Sequence, residues 1–357
     1  MSTRTRDERW AVLRESGIVA GAKTPDVGDR SPWYIGALLG IAAWLAALFL
    51  MFFIGMAVED IVRKPAGAIA CGLVVTALAG WVVRRTLEHA FVAQLAIAFS
   101  VAGQCLLVVG LVMEGGRAEP LRWLLFVAIE GALVVAVPHF AHRVLATIGG
   151  AGALFMALWS AGLAPLFLPL VLFAFVAAEA QTLRGASNPQ LWHATQIGLV
   201  LAVIVAIALA QWPRELALGR ARSAFPVDVM RWVVASSIAA VGAWTGSLLV
   251  RDATGASRSP LALVAAALLA AFAFVGMALP GIAAAVLVLL LAFAAGQPVL
   301  GGLAMIALLG SLAHYYYRLD ATLLAKSGGL ASIGALLLIA RAVLPRFFGP
   351  RTEVRDA

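Results

Sequence analysis

Ile282-Ala283-Ala284-Ala285-Val286-Leu287-Val288-Leu289-Leu290-Leu291-Ala292-Phe293-Ala294-Ala295 is apolar at every position. A strand of a membrane barrel alternates apolar and polar side chains over about ten residues, so this run is no such strand. A segment in lipid must satisfy its own backbone N–H and C=O groups, and a helix does so within one segment. The run predicts a transmembrane helix.

The same reading extends along the chain. A bilayer core about 30 Å thick needs about 20 apolar residues per helix. Spans are predicted near 33–57, 65–83, 90–113, 120–137, 141–161, 163–180, 191–211, 228–250, 260–278, 281–296, 298–316 and 328–345. The expected fold class is therefore all-α: a polytopic transmembrane helical bundle of about twelve spans. Segments 281–296 and 298–316 are short and joined only by Gln297 and its neighbours, so they are either two spans or a re-entrant pair. Pro165 and Pro169 interrupt the start of the sixth span and predict a kink.

Composition agrees. Of 357 residues, 63% are hydrophobic and 12% charged, against about 25% charged in soluble domains. Mean hydropathy is +0.98. A soluble fold of this length needs a polar skin that this chain does not have. Residues 1–32 read as a cytoplasmic tail, 33–345 as the membrane domain and 346–357 as a second cytoplasmic tail. The first tail is charged and has no apolar h-region, so no signal peptide is predicted. Within it, Trp10, Val12, Leu13 and Ile18 alternate with charges. They read as a short amphipathic helix in the membrane interface or as a docked or frayed tail. Thr24 to Pro32 reads as a linker.

The net charge of +8 is read as topology. With the N-terminus inside, fifteen Lys and Arg fall on the inner side, among them Arg84, Arg85, Arg143 and Arg184, and nine on the outer side. This bias predicts an inner-membrane protein with both termini cytoplasmic, and it puts Tyr315–Lys326 outside. No nucleic acid is expected, because no basic run carries interleaved aromatics on a soluble face. Cys71 and Cys105 lie in apolar runs and read as packing residues.

Few residues can carry chemistry. An ionisable group at bilayer depth costs about 2.5–3.5 kcal/mol on insertion scales and is a functional candidate for that reason. Glu130 sits mid-span, too deep to snorkel, and either holds a proton or pairs with a cation. An acid packed and hydrogen-bonded between helices is the plain alternative. Glu179, near the end of its span, reads as reaching an interface. Gln104 reads as an interhelical hydrogen bond, with Gly103 allowing close approach. His139 and His142 share a helical face but have no third ligand beside them, and His89, His193 and His314 sit at span boundaries. No metal site, cofactor, catalytic constellation or phosphate loop is predicted.

The densest polar cluster is Tyr315-Tyr316-Tyr317-Arg318-Leu319-Asp320-Ala321-Thr322-Leu323-Leu324-Ala325-Lys326-Ser327, which holds three of the four tyrosines. Tyr315, Tyr316 and Tyr317 fit an interfacial aromatic belt. Asp320 fits an N-cap for the helix that follows. Lys326, about two turns into that helix, fits neither role. It either snorkels outward or pairs with an inward acid, for which Glu130 is the nominee.

This cluster, followed by Leu330-Ala331-Ser332-x-Gly334, resembles the C-terminal signature of the domain-of-unknown-function 4401 family of bacterial integral membrane proteins. Ala42-Ala43-Trp44-Leu45-Ala46-Ala47-Leu48-Phe49 and Gln94-Leu95-Ala96-Ile97-Ala98-Phe99-Ser100-x-Ala102-Gly103-Gln104 are similar to the same family. The tail up to Val19 is similar to the related family 2157. The resemblance implies a polytopic membrane protein with no assigned activity, often encoded beside a small envelope protein of the GDYxxLxY type. Three functions follow as expectations. One is a scaffold docking an envelope partner through the outer cluster. The others are a transporter of a small solute, with Glu130 and Lys326 in its pathway, and a membrane enzyme acting on a lipid-linked substrate.

Overall fold

The structure, a computed structural model, describes residues 14–15, 33–86, 89–114, 120–185, 187–211, 225–254, 266–267, 280–318, 324 and 327. Among them every regular element is helical: α1 Trp33–Ala57, α2 Glu59–Val62, α3 Pro65–Arg85, α4 Ala90–Met113, α5 Pro120–Ala136, α6 Phe140–Ser160, a 3₁₀ turn Ala164–Leu166, α7 Phe167–Leu183, α8 Pro189–Gln211, α9 Val227–Thr254, α10 Pro280–Ala294 and α11 Pro298–Arg318. Eight helices of the described residues are long and apolar enough to cross a membrane. α5 and α10 are shorter, at 17 and 15 residues. Ten predicted spans coincide with helices. The span at 328–345, that at 260–278 except for residues 266–267, Asp320, Lys326, the C-terminal tail and nearly all of the N-terminal tail lie outside the described residues.

Proline marks the starts. Pro65, Pro120, Pro189, Pro280 and Pro298 each open a helix, where the missing N–H would have had no intrahelical partner. Pro165 and Pro169 act in the same way. The first lies in the 3₁₀ turn and the second is the third residue of α7. The irregularity therefore precedes α7 and breaks no helical hydrogen bond. Gly296 ends α10 at φ 63. Its N–H donates to Phe293 O at 3.1 Å and that of Gln297 to Ala292 O at 3.0 Å. This paired termination needs the left-handed residue that glycine supplies.

The chain divides into two compact units, Met1–Leu107 and Val108–Ala357, with the division inside α4. In the first, α3 and α4 meet through small residues. A Cβ added at Gly72 would lie 2.7 Å from Gly103 O, and one at Gly103 2.8 Å from Thr76 N. In lipid, helices associate by such close packing, as expected of Gly103. With the backbones this near, the cross-helix bond is made by a short side chain: Thr76 Oγ1 donates to Ser100 O at 3.5 Å. Gln104 instead donates from Nε2 to Ser100 Oγ of its own helix at 3.4 Å, which corrects its expected interhelical role.

In the second unit α10 is the central helix. From Gly281 to Ala292 no residue is exposed, and α7, α8, α9 and α11 surround it. A helix apolar on every side is one buried on every side. The run that predicted a helix in lipid is here enclosed mainly by protein, with Ile282, Val286, Leu289 and Leu290 half-buried, and Phe293, 86% exposed, is its first exposed residue.

Side-chain pairs set the helix directions. The Phe140 and His193 rings lie 6.0 Å apart, and Gly198 abuts Thr147, so α6 and α8 run parallel. α7 runs back alongside α8, and its end meets the start of α8. Gly281, near the start of α10, abuts both Gln211 at the end of α8 and Ser311 of α11.

Candidate functional site

α5 buries Trp123, Phe126 and Glu130, spaced to form one stripe, while Leu124, Leu125 and Val135 are exposed on its other side. Glu130 is 1% exposed. It faces two residues of α6 that have no side chain. A Cβ at Gly149 would lie 3.3 Å from the Glu130 carboxyl carbon and 3.4 and 3.5 Å from its oxygens, and one at Gly150 would lie 3.3 Å from Glu130 Cβ. Among the described residues neither carboxyl oxygen has a hydrogen-bond partner, and the same holds for Trp123 Nε1. The packed, hydrogen-bonded acid considered from sequence is not what these residues form.

Arg143 is buried near the start of α6 but is occupied elsewhere. Its Nε donates to Val134 O at 3.0 Å. Val134 lies in the last turn of α5, whose carbonyls lack intrahelical donors and carry the negative end of the helix dipole. The sequence marks Arg143 only as a loop charge. His139 lies in the turn before α6, where burial lowers its pKa, and His142 is buried in the first turn of α6. Among the described residues no three His, Cys, Asp or Glu side chains converge as metal ligands.

A second buried cluster joins α7, α8 and the α10–α11 turn. Gln196 Nε2 donates to Glu179 Oε2 and to Thr182 Oγ1, each at 2.7 Å. Gln297 Nε2 donates to Gln196 Oε1 at 3.3 Å. Glu179 is 0% exposed, which corrects its expected reach to an interface. Helical side chains lean toward the N-terminus, so an acid near the end of α7 points back into the bundle, under α8. Gln196, Thr182 and Gln297 are the residues that sequence reading did not assign to a site. Their signal is a set of amide and hydroxyl groups at matching edges of three apolar spans.

The tyrosines lie at the opposite end of this unit. α11 starts at the Gln196 cluster, and its Ser311 shares the neighbour Gly281 with Gln211 at the end of α8, so Tyr315–Tyr317 lie a turn or more further along, toward that end of the unit. Tyr317 is 83% exposed and Tyr315 is also exposed. Tyr316 and Tyr317 stack edge-on with centroids 5.9 Å apart. α11 packs on α8 and α10, whereas α5 packs on α6 and more lightly on α8. Glu130 and the tyrosines thus belong to different helix pairs, and Asp320 and Lys326 lie outside the described residues.

Among the described residues, eight apolar helices of membrane-crossing length, a shorter central helix enclosed by others, and acids buried among them define an all-helical, multi-pass membrane protein. The family profile Domain of unknown function (DUF4401) matches residues 32–347. The chain belongs to that family. No curated protein and no solved structure matches it.

Proposed function

We propose that the protein is a transporter of a small solute in the bacterial inner membrane, with both termini cytoplasmic and Glu130 and Lys326 in its pathway. One observation carries the reading: Gln297, in the non-helical turn between α10 and α11, is hydrogen-bonded through Gln196 to the fully buried Glu179. α10, at 15 residues, spans about 22 Å and is shorter than a bilayer core of about 30 Å. Non-helical backbone at membrane depth is tolerated where protein buries it or where it lines a cavity, and transporters build their sites at such interruptions. Ionisable groups inside a bundle mark solute or ion paths.

The test is electrophysiology on proteoliposomes adsorbed to a solid support, challenged with a panel of amino acids, sugars, organic acids and monovalent cations. The expected result is a transient current with at least one solute that is lost in Gln196→Leu. A wild-type protein silent to the whole panel overturns the reading, and an unchanged current in Glu130→Gln removes Glu130 from the pathway.

A second reading is favoured by the exposure of Tyr315 and Tyr317 at the end of α11. In it the protein is a scaffold whose Tyr315–Lys326 face docks a small envelope protein of the GDYxxLxY type. Co-purification with the tagged protein tests it. If Tyr316→Ala and Asp320→Ala retain every partner, docking at this face is excluded.

A further inference from the structure

We propose that Glu130 is a proton-binding site, a neutral carboxylic acid lodged between α5 and the glycine notch of α6 and open to modification by an apolar carbodiimide. As the coupling ion of a carrier the proton rests on the transport reading above; as a bound ligand it is tested without any flux.

Three observations meet at this residue. First, the carboxyl is 1% exposed and both its oxygens lack hydrogen-bond partners among the described residues. An ionised carboxylate there would be unsolvated, and a buried charge without a partner gives way to its neutral form. Second, the charged and titratable groups on the helices packed around it are directed elsewhere. On α6, Arg143 donates to Val134 O, and His142 lies one residue before it, in the first turn. On α8, His193 lies against the Phe140 ring. On α5 itself, Arg122 pairs with Glu114 at 3.3 Å. Among the described residues none forms an ion pair with Glu130.

Third, the notch suits a neutral acid. Gly149 and Gly150 leave no side chain between the carboxyl and the backbone of α6. Helix carbonyls keep a second lone pair that an acid O–H can use and a carboxylate cannot. The site is also close to the apolar phase. Gly131 and Ala132, which follow Glu130, are exposed on the outer face of α5, so an apolar reagent has about one helix to pass.

Carbodiimide chemistry reads the protonated form. The acid proton moves to one carbodiimide nitrogen while the carboxyl oxygen bonds to the central carbon. The acyl group then shifts from oxygen to nitrogen, giving a stable N-acylurea that keeps every atom of the reagent. Nothing leaves and nothing is oxidised.

The experiment treats the full chain in phospholipid vesicles with N,N′-dicyclohexylcarbodiimide or with a water-soluble carbodiimide, followed by peptide mass spectrometry. Glu130 is expected to be labelled by the apolar reagent alone, and the label is expected to persist in Lys326→Ala and to be lost in Glu130→Gln. Infrared spectra provide a second measurement, in which a protonated carboxyl C=O band is present in wild type and absent in Glu130→Gln. An unlabelled wild type overturns the proposal. If label then arises in Lys326→Ala, Lys326 is what holds Glu130 as a carboxylate. Label without solute current retains the proton site and rejects transport. Current without label rejects the proton site and retains transport.

Discussion

Gln196 Nε2 lies 2.7 Å from both Glu179 Oε2 and Thr182 Oγ1, so one amide of α8 spends both its hydrogens on α7. Thr182 Oγ1 donates in turn to Ala178 O at 3.1 Å, which leaves its oxygen free to accept. Gln196 Oε1 accepts from Gln297. Gln297 thus donates to Gln196 and Gln196 to Glu179, so the two amides are ordered toward the acid.

Gln196→Leu is expected to destabilise the protein by about 1–3 kcal/mol, because it removes a hydrogen-bond donor from a buried acid. An interhelical bond in a membrane averages only about 0.6 kcal/mol, so a larger loss measures the burial of the acid more than the bond. Gln196→Glu should cost more, since it sets a second acid beside Glu179. Thermal unfolding in detergent checks both, and a wild-type midpoint for Gln196→Leu would show that the network contributes nothing.

Two glycines of α6 should respond differently. Gly149→Val intrudes on the Glu130 carboxyl and should cost about 1–3 kcal/mol by overpacking. A Cβ at Gly152 meets nothing within 4 Å, so Gly152→Ala should stay within about 0.5 kcal/mol of wild type. Unfolding midpoints of the two variants in one detergent provide the comparison. Equal effects would mean that α5 does not seat on α6 at Gly149.

Gly103→Ala is expected to separate α3 from α4. Its Cβ would collide with Thr76 Oγ1 and lie 2.8 Å from Thr76 N. Backbone cannot swing aside as a flexible side chain can, so the cost should reach the upper part of the about 1–3 kcal/mol range for overpacking. Cysteine cross-linking between the helices, near Gly72 and Gly103, should fall in the variant.

Enclosure of α10 predicts a contrast between neighbours. Leu291 is fully buried and Phe293 is exposed. Leu291→Ala leaves a cavity, for which core values run about 2–5 kcal/mol. The lower half is expected, because the separated helix would rest in lipid, and lipid is as apolar as leucine. Phe293→Leu should be close to neutral. Unfolding in mild detergent distinguishes them, and equal losses would place Leu291 at the surface.

The helices themselves were legible in the sequence. Ile282 to Ala295 has no polar residue, and a run like that must close its own hydrogen bonds. Helix starts were legible at prolines such as Pro189 and Pro298. Glu130 was legible as a candidate because a charge at mid-span is out of place among apolar neighbours. Its surroundings were not, since Gly149 and Gly150 lie on the next helix and meet it only when α5 packs on α6. Glu179 was not legible, because nearness to a span end does not by itself give access to water. The lean of the side chain and the cover of α8 bury it. Gln196 and Gln297 were not linked because 101 residues separate them.

Length and unbroken apolarity thus settle that this chain forms membrane helices and where most of them begin, since each helix completes its own backbone bonds. Which faces meet protein is a different matter, and α10 shows why. Leucine and alanine are as compatible with lipid tails as with one another, so a helix inside the bundle and a helix in the bilayer can have the same residues. The choice between those surroundings comes from the packing of distant segments. That packing encloses α10, places Glu130 against bare backbone and turns Glu179 inward.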